Sequence, residues 1–327
     1  MLLVPIKNTA ERGITLETII NISGLVKRYK ELTAVDNLSL SVQKGRILGL
    51  LGPNGSGKTT TIHCLLGLLA YDAGSIELFG EAMDSSKSHI KARIGVVFQE
   101  VGVFDELTVY ENIDYFCGLY IQDKQKRRQM VKDAVDLVQL QDFVKFRPKK
   151  LSGGLYRRLN IACGIAHKPE LIIFDEPTVA VDPQSRNHIL EGIQKLNAEG
   201  ATIIYTSHYM EEVDQICDEI VIIDQGRKIA EGTSDSLKAS IQTQEKIRFT
   251  ADPLSEAVIS KLKALPGLLE LKIDERTHNL SFEKGEGHII RLVRTLQEEG
   301  VSYDALTSER PSLNDVFLEL TGKALRD

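Results

Sequence analysis

The chain has 327 residues, enough for about two domains. Hydrophobic residues make up 42% and charged residues 26%, an ordinary balance for a globular protein. The formal net charge of −6 gives no electrostatic help to a nucleic-acid partner, so we expect none. The four cysteines are widely spaced and form no CxxC pair, which argues against a zinc site and against a disulfide framework.

The sequence also bears on location. No apolar run reaches the roughly 18 residues of a transmembrane helix. The opening stretch MLLVPIKNTAERG has a short apolar run and no basic leader, so we do not expect a signal peptide. We therefore expect a cytoplasmic protein that touches a membrane only through a partner. Residues 1–20 have no clear pattern and are interpreted as an N-terminal extension.

From Ile22 onward, short β-rich runs alternate with helical patterns, which predicts an α/β fold. Strands are predicted at 45–52, 93–99, 171–175, 202–208 and 219–224, and helices at 58–69 and 182–200. Between about 101 and 166 the strand signals stop and helical patterns replace them, including an amphipathic run at 124–140. This block is interpreted as a helical subdomain within a core domain of residues 21–233.

The remaining residues, 234–327, predict a second and smaller domain. The expected order is a strand at 245–250, a helix at 255–264, strands at 268–274 and 279–284, a helix at 288–299, a strand near 301–306 and a helix at 312–321. Its βαββαβ part is typical of a small α+β ferredoxin-like domain.

The stretch GPNGSGKTT, residues 52–60, matches the phosphate-loop pattern G-x-x-x-x-G-K-[ST], with a strand predicted before it and a helix after it. Glycines let backbone N–H groups turn toward phosphate oxygens, and the helix N-terminus adds a positive dipole. Lys58 would reach the β- and γ-phosphates, and Thr59 would ligate Mg²⁺. The nucleotide-binding candidates are Gly52, Pro53, Asn54, Gly55, Ser56, Gly57, Lys58, Thr59 and Thr60.

Two carboxylates follow the apolar run LIIF, at Asp175 and Glu176. In an open α/β sheet, ligands bind beyond the carboxyl ends of the strands. Asp175 would hold Mg²⁺ through water, and Glu176 would orient and deprotonate the water that attacks the γ-phosphate.

A second glycine-rich segment, Ser152-Gly153-Gly154, precedes the helical run LYRRLNIACGIA. Its helix N-terminus and serine hydroxyl form another phosphate-binding surface. Since the chain already has a phosphate loop, one solution is that this surface serves the nucleotide of another molecule. Two chains packed head to tail would then complete each other's sites.

With these motifs in this order, the chain resembles the ATP-binding subunits of ABC transporters over about residues 22–232. The matching pieces are the phosphate loop, Gln99, the signature LSGG at 151–154, LIIFDEP at 171–177, Asp182 and His208. The resemblance implies that Gln99 touches Mg²⁺, the attacking water and the permease groove. It also implies that His208 bonds the γ-phosphate, that Asp182 belongs to the D-loop (179–182), and that Tyr29 stacks on adenine.

The segment RRLNIACGIAHKPELIIFDEPTVAVDPQSRN and the ending PSLNDVFLELTGKALRD resemble bacterial drug or sodium exporters whose permease is a separate chain. The resemblance implies an α/β P-loop NTPase core, ATP and Mg²⁺ as cofactors, a separate permease, and a second ATP-binding subunit, most simply an identical copy. The protein would lie on the inner face of the cell membrane through that permease, which would also supply the contacts to the substrate.

Two motifs depart from the family pattern, at three positions. The signature is followed by Leu155-Tyr156 where Gln or Met and then a polar residue are common, and the D-loop has Ala180 where glycine is common. Leu155 and Tyr156 would either vary freely on the outer face of the helix or change a dimer or permease contact. If position 180 needs a positive φ, alanine costs about 1 kcal/mol there; otherwise nothing changes.

The main hypothesis is therefore an ATPase that powers export through the permease. The alternative is an ATP-dependent regulatory or dimerisation module with little transport role, which the second domain would also suit. Soluble ABC proteins of DNA repair or translation fit less well, because there is no long coiled coil between phosphate loop and signature and only one cassette.

Overall fold

The computed structural model describes residues 17–322, and its first layer is an antiparallel sheet. Strands β1 (Thr18–Tyr29), β2 (Leu32–Gln43), β4 (Ala73–Leu78) and β5 (Glu81–Ala82) lie in the order β2-β1-β4-β5. Residues 1–16 of the predicted extension lie outside the described residues, and its last residues already belong to β1.

The second layer is a six-stranded sheet that carries the predicted motifs. It comprises β3 (Ile47–Leu51), β6 (Ile94–Val97), β7 (Leu171–Asp175), β8 (Thr202–Thr206), β9 (Glu219–Asp224) and β10 (Arg227–Gly232) in the order β10-β9-β3-β8-β7-β6. All neighbours are parallel except β9 and β10. The inner strands are buried on both faces, so they read as unbroken apolar runs. The α/β prediction is confirmed, and the predicted strands at 45–52, 93–99 and 202–208 are each shorter.

Helices α1 (Lys58–Leu65), α2 (Ser88–Lys91), α6 (Pro183–Ala198) and α7 (Met210–Ile216) belong to this core. The helix predicted at 58–69 therefore ends four residues earlier, in a hydrogen-bonded turn. Helix α6 starts as its sequence indicates. Asp182 caps it by accepting a hydrogen bond from the backbone N–H of Ser185 at 2.9 Å, and Pro183 occupies the first position, where no N–H is needed.

The predicted helical subdomain is present as α3 (Val109–Gly118), α4 (Lys124–Leu137) and α5 (Gly153–Ile165), with two short 3-10 turns at Gln141–Phe143 and Pro148–Lys150. Thr108 and Glu111 form the capping box expected from their spacing. Asp123 caps α4, which stops at Leu137 rather than at 140. The apolar faces of these helices join the main core cluster on one side of the six-stranded sheet.

The C-terminal part contains α8 (Ser234–Ser240), β11 (Glu245–Ala251), α9 (Glu256–Lys263), β12 (Leu268–Ile273), β13 (Thr277–Phe282), α10 (His288–Glu298), β14 (Tyr303–Glu309) and α11 (Leu313–Thr321). Its antiparallel sheet has the order β12-β13-β11-β14. Residues of α9 and α10 and one sheet face form a separate core. The βαββαβ order of a ferredoxin-like domain is thus confirmed.

Helix α11 contributes to the main core cluster rather than to the separate core of the C-terminal sheet. Leu313, Val316 and Phe317 are buried in the main core cluster, next to α7 and α8. Glu319 accepts a hydrogen bond from the backbone N–H of Gln242 at 2.7 Å. Separately, among residues 17–322 no helix combines the length and the apolar character needed to cross a bilayer.

Candidate functional site

The phosphate loop is folded around its own lysine. Lys58 Nζ donates hydrogen bonds to the carbonyl oxygens of Gly52 at 2.7 Å and Pro53 at 3.2 Å. Burial of the ammonium lowers the pKa of Lys58, and the nearby carboxylates of Glu176 and Asp175 act in the opposite direction. The Lys58 ammonium is therefore held by two backbone carbonyl oxygens at the place where a phosphate would bind.

Glycine is required in this loop for a visible reason. Gly57 has a φ of 105°, and a Cβ there would lie 2.5 Å from the carbonyl oxygen of Ala34 on β2. Asn54, Gly55 and Thr59 are exposed, while Pro53 and Thr60 are half-buried. The Ser56 hydroxyl is buried and has no hydrogen-bond partner among the described residues. An orphaned hydroxyl beside exposed loop amides fits a phosphate ligand.

Asp175 and Glu176 stand side by side at the carboxyl end of β7, and both are buried. Thr206, at the end of the adjacent β8, bonds to both residues. Its Oγ1 donates to Asp175 Oδ1 at 2.7 Å and accepts from the backbone N–H of Glu176 at 3.0 Å. Glu176 has a φ of 48°, an unusual value for a residue with a side chain. Thr206 thus fixes the direction of the Asp175 carboxylate and the backbone position of Glu176 independently of any ligand.

His208 follows β8 and reaches the same point. Its Nδ1 lies 3.4 Å from Glu176 Oε2, and its ring packs against Tyr209 with centroids 4.4 Å apart. The structure therefore brings the His208 side chain to that of Glu176, which lies 32 positions earlier in the sequence, at the ends of two neighbouring strands.

The signature and the D-loop form one surface within a single chain. Ser152 Oγ caps α5 by accepting a hydrogen bond from the backbone N–H of Leu155 at 3.3 Å. A Cβ on Gly153 would meet nothing within 4 Å, whereas one on Gly154 would lie 2.3 Å from Ser185 Oγ and 2.9 Å from Asp182 Oδ2. Ser152, Gly153 and Asp182 are exposed. Gly154 thus allows α5 to pack tightly on α6, while Gly153 leaves the helix N-terminus open to an approaching molecule.

Gln99 and Tyr29 are both accessible. Gln99 lies in a bend after β6, with its side chain exposed. Tyr29 ends β1 and is 46% exposed, and the ammonium of Lys27 lies 5.2 Å from its ring centroid. Neither side chain is brought into contact with the carboxylate pair in this structure, so their assigned roles depend on a bound nucleotide.

The two departures from the family pattern have different outcomes. Leu155 is half-buried and packs against the main core, and Tyr156 is half-buried, with its pKa raised by burial. Ala180 has a φ of 58°, in the left-handed region. The strain of a Cβ there is about 1–2 kcal/mol, which glycine would avoid.

Sequence reasoning missed Arg157, which connects the signature helix to the strand ends. This 4%-exposed side chain donates hydrogen bonds to the carbonyl oxygens of Gln99 and Glu176 and to three others, those of Phe98, Asp175 and Pro177, at 2.7–3.3 Å. It also missed Glu212, a buried carboxylate behind His208. The sequence offered one signal for Arg157: it is a charged residue on the apolar face of a predicted helix, and a buried charge requires hydrogen-bonding partners.

The oxygen-rich donor set here fits Mg²⁺ only together with a nucleotide. Within residues 17–322, no cluster of three or more His, Cys, Asp or Glu side chains is arranged to hold a metal ion. Mg²⁺ typically binds one or two protein oxygens plus phosphate oxygens and waters. The exposed Thr59 hydroxyl and the fixed Asp175 carboxylate match that requirement.

Comparison with known proteins gives consistent matches over most of the chain. A family model described as ABC transporter matches residues 35–179, and one described as the C-terminal domain of DrrA1-3-like ATP-binding proteins matches residues 232–321. The linearmycin resistance ATP-binding protein LnrL of Bacillus subtilis (strain 168) is 38% identical over 305 residues, covering 92% of this chain and 97% of the relative.

Further relatives have similar coverage. Nod factor export ATP-binding protein I of Ralstonia nicotianae is 35% identical, over 96% of this chain and 97% of its own. The daunorubicin resistance ATP-binding protein DrrA3 of Streptomyces coeruleorubidus is 34% identical, over 94% and 96%. Among solved structures, cbiO1 from Clostridium perfringens, described as part of the ABC transporter complex cbiONQ, matches with a TM-score of 0.64 and 25% identity over 68% of this chain and 92% of that one.

Proposed function

Because this chain belongs to the ATP-binding subunits of ABC transporters, we propose that it hydrolyses ATP to power export of a substrate through a separate membrane permease. It is an ABC ATPase by family. The observation that carries the proposal is the convergence of the phosphate loop, the paired Asp175 and Glu176, and His208 at one edge of the six-stranded sheet. The relatives named for drug resistance and Nod factor export support the export direction.

Nucleotide binding is assigned to the phosphate loop, with Lys58 moving from the loop carbonyls to the β- and γ-phosphates. Tyr29 would stack on adenine with its exposed ring. Thr59, Asp175 and Gln99 would hold Mg²⁺, which neutralises charge on the transferring phosphoryl group when bound.

The chemical step is assigned to Glu176 and His208. Glu176 Oε2 would accept the proton of the attacking water. His208, 3.4 Å away through Nδ1, would donate to the γ-phosphate and stabilise the charge that develops there. Burial of Glu176 limits the access of bulk water to this carboxylate.

A second copy would complete the site. The exposed Ser152 and Gly153 and the open space around Gly153 suit the γ-phosphate of a nucleotide bound to a partner chain. Asp182 of the D-loop borders the same surface. We therefore propose a head-to-tail homodimer that closes over two ATP molecules and opens after hydrolysis.

The permease would dock in a groove beside Gln99. This groove of about 420 Å³ lies between the six-stranded sheet and the helical subdomain, and Leu119 and Tyr120 at its edge are exposed. Its further lining includes Phe98, Phe116, Asn160 and His167. An apolar groove with a few polar groups suits a short permease helix. That contact would hold the protein at the cytoplasmic face of the membrane.

The division into units is proposed on the same basis. Residues 21–233 would be the ATP-binding domain, with the helical subdomain at about 101–166, and residues 234–327 the accessory domain. The packing of α11 on α7, with Leu313, Val316 and Phe317 in the main core cluster, supports a role of the accessory domain in bracing the ATPase core.

The direct test is ATP hydrolysis by the purified protein with Mg²⁺. Lys58→Ala should lower the rate of ATP hydrolysis by about 10²–10³-fold, because the negative charge that develops on the phosphate loses its neighbouring cation. Removal of Mg²⁺ by a chelator should abolish ATP hydrolysis by the parent protein. Lys44→Ala is the matched control, since the Lys44 side chain is exposed and forms an ion pair with the exposed Glu17. A Lys58→Ala protein that keeps the parent rate would contradict the assignment.

A further inference from the structure

Behind His208 lies a buried carboxylate that the assigned mechanism does not use. Glu212, on α7, is 3% exposed. Its Oε2 accepts hydrogen bonds from Thr178 Oγ1 at 2.9 Å, Tyr205 OH at 2.7 Å and Ser207 Oγ at 2.7 Å. Three hydroxyl donors converging on one oxygen match an ionised carboxylate, which has acceptor sites only. Burial, followed by this carboxylate, raises the pKa of Tyr205.

The second oxygen of Glu212 faces a cation on another helix. Glu212 Oε1 lies 3.4 Å from Arg186 Nε, and neither atom has a hydrogen-bond partner among residues 17–322. The Arg186 guanidinium also lies over the Tyr209 ring, 4.3 Å from its centroid. The Glu212 side chain is 3% exposed and that of Arg186 28%, so the carboxylate is shielded from water and the attraction is stronger than that of a fully exposed pair.

The contacts of Glu212 connect two segments: the one that contains His208 and the one that contains the D-loop. Ser207 directly precedes His208, and its Oγ also accepts from the backbone N–H of Tyr209 at 3.0 Å, so the chain on either side of His208 is held. Thr178 lies between Glu176 and the D-loop. Arg186 donates its backbone N–H to the carbonyl of Asp182 at 2.9 Å, in the first turn of α6.

We propose that Glu212 is a positioning residue that fixes the switch His208 relative to the D-loop and thereby couples the two ATP sites of the dimer. It touches neither nucleotide nor reacting water. His208 serves the site of its own chain, and the D-loop borders the surface offered to the partner's nucleotide, so a rigid link between them transmits the state of one site to the other. This inference rests on the proposed dimeric ATPase.

Glu212→Gln distinguishes a positioning role of Glu212 from a role in packing alone, because glutamine has nearly the same size as glutamate. The amide oxygen can still accept from the hydroxyls of Thr178, Tyr205 and Ser207, but the NH₂ group then faces Arg186 and offers it no acceptor. The substitution therefore removes the link to α6 while it keeps volume and the link to β8. Glu211→Gln is the matched control, because Glu211 is the exposed neighbour on the same helix.

The experiment measures ATP affinity at concentrations where the protein is monomeric, together with kcat and the Hill coefficient for ATP hydrolysis. We expect Glu212→Gln to keep the parent affinity, to lower kcat about 10- to 100-fold as misplaced groups do, and to lower the Hill coefficient toward 1. Arg186→Gln should have the same effect, and the double variant should be no worse than either single one, since both remove one interaction.

Three outcomes would overturn the inference: parent kcat and Hill coefficient in Glu212→Gln, an equal loss in Glu211→Gln, or additive losses in the double variant. If Glu212→Gln does not fold, Arg186→Gln alone decides by the same readout. Absence of hydrolysis in the parent protein would instead refute the proposed function, so the two failures are distinguishable.

Discussion

Glu176→Gln should bind ATP as tightly as the parent protein and hydrolyse it about 10²–10⁴-fold more slowly. The amide has the size of the carboxylate but cannot accept a proton from the attacking water, and general-base catalysis contributes a factor of this order. The backbone contact to Thr206 does not involve the side chain, so the loop geometry should persist. Radiolabelled ATP binding and steady-state phosphate release measure the two effects separately.

The same variant should accumulate as a dimer when ATP and Mg²⁺ are present, because ATP remains bound in both sites. Size-exclusion chromatography with and without nucleotide detects this. Glu191→Gln, an exposed position on α6, is the control and should behave as the parent does. Parent-like turnover in Glu176→Gln would remove this residue from the general-base role.

Arg157→Met should lower the free energy of unfolding by about 3–5 kcal/mol. Hydrogen bonds from a charged donor contribute about 1.5–3 kcal/mol each, and their loss is partly offset because the guanidinium no longer has to be buried. The guanidinium of Arg157 donates to five backbone carbonyls that come from the turn after β6 and the end of β7. Methionine has similar length and no donor, so those carbonyls would be left buried without their partner. Urea denaturation monitored by circular dichroism measures the change.

Arg158→Met is the matched control for this effect. Arg158 is half-buried and donates only to the carbonyls of Val138 at 3.2 Å and Gln139 at 3.4 Å. We expect a loss of less than about 1.5 kcal/mol there, because the two contacts are long and share a single nitrogen, Nη1. Equal losses in the two variants would show that the five hydrogen bonds of Arg157 contribute no more to the free energy of unfolding than the two of Arg158.

The phosphate loop and the carboxylate pair were predictable because each is contiguous. Residues 52–60 contain the glycines of the turn and the start of the following helix. The apolar run before Asp175 predicts a buried strand, and the carboxyl end of that strand must face the site. The same holds for the cap at Asp182, which depends on the next three residues only. Local sequence is enough where the interacting groups are neighbours in the chain.

Residues whose partners are distant in the chain were not predictable in this way. Arg157 bonds to carbonyls 18–59 positions away, and Glu212 to Thr178 across 34. The positive φ at Ala180 depends on how the D-loop is held between β7 and α6, so the sequence left that question open. The packing of α11 on α7 likewise follows from tertiary contacts rather than from its amphipathic pattern.

The central claim is that each ATP site is built from the phosphate loop of one chain and the signature of another. Mixing two inactive variants, Lys58→Ala and Gly153→Asp, tests it most directly. In a head-to-tail heterodimer one site carries both defects and the other carries neither, so the mixture should regain up to about a quarter of the parent ATPase rate, since half of the dimers would be mixed and each would have one intact site. Sites completed within one chain would leave every mixture inactive, and that result would contradict the account.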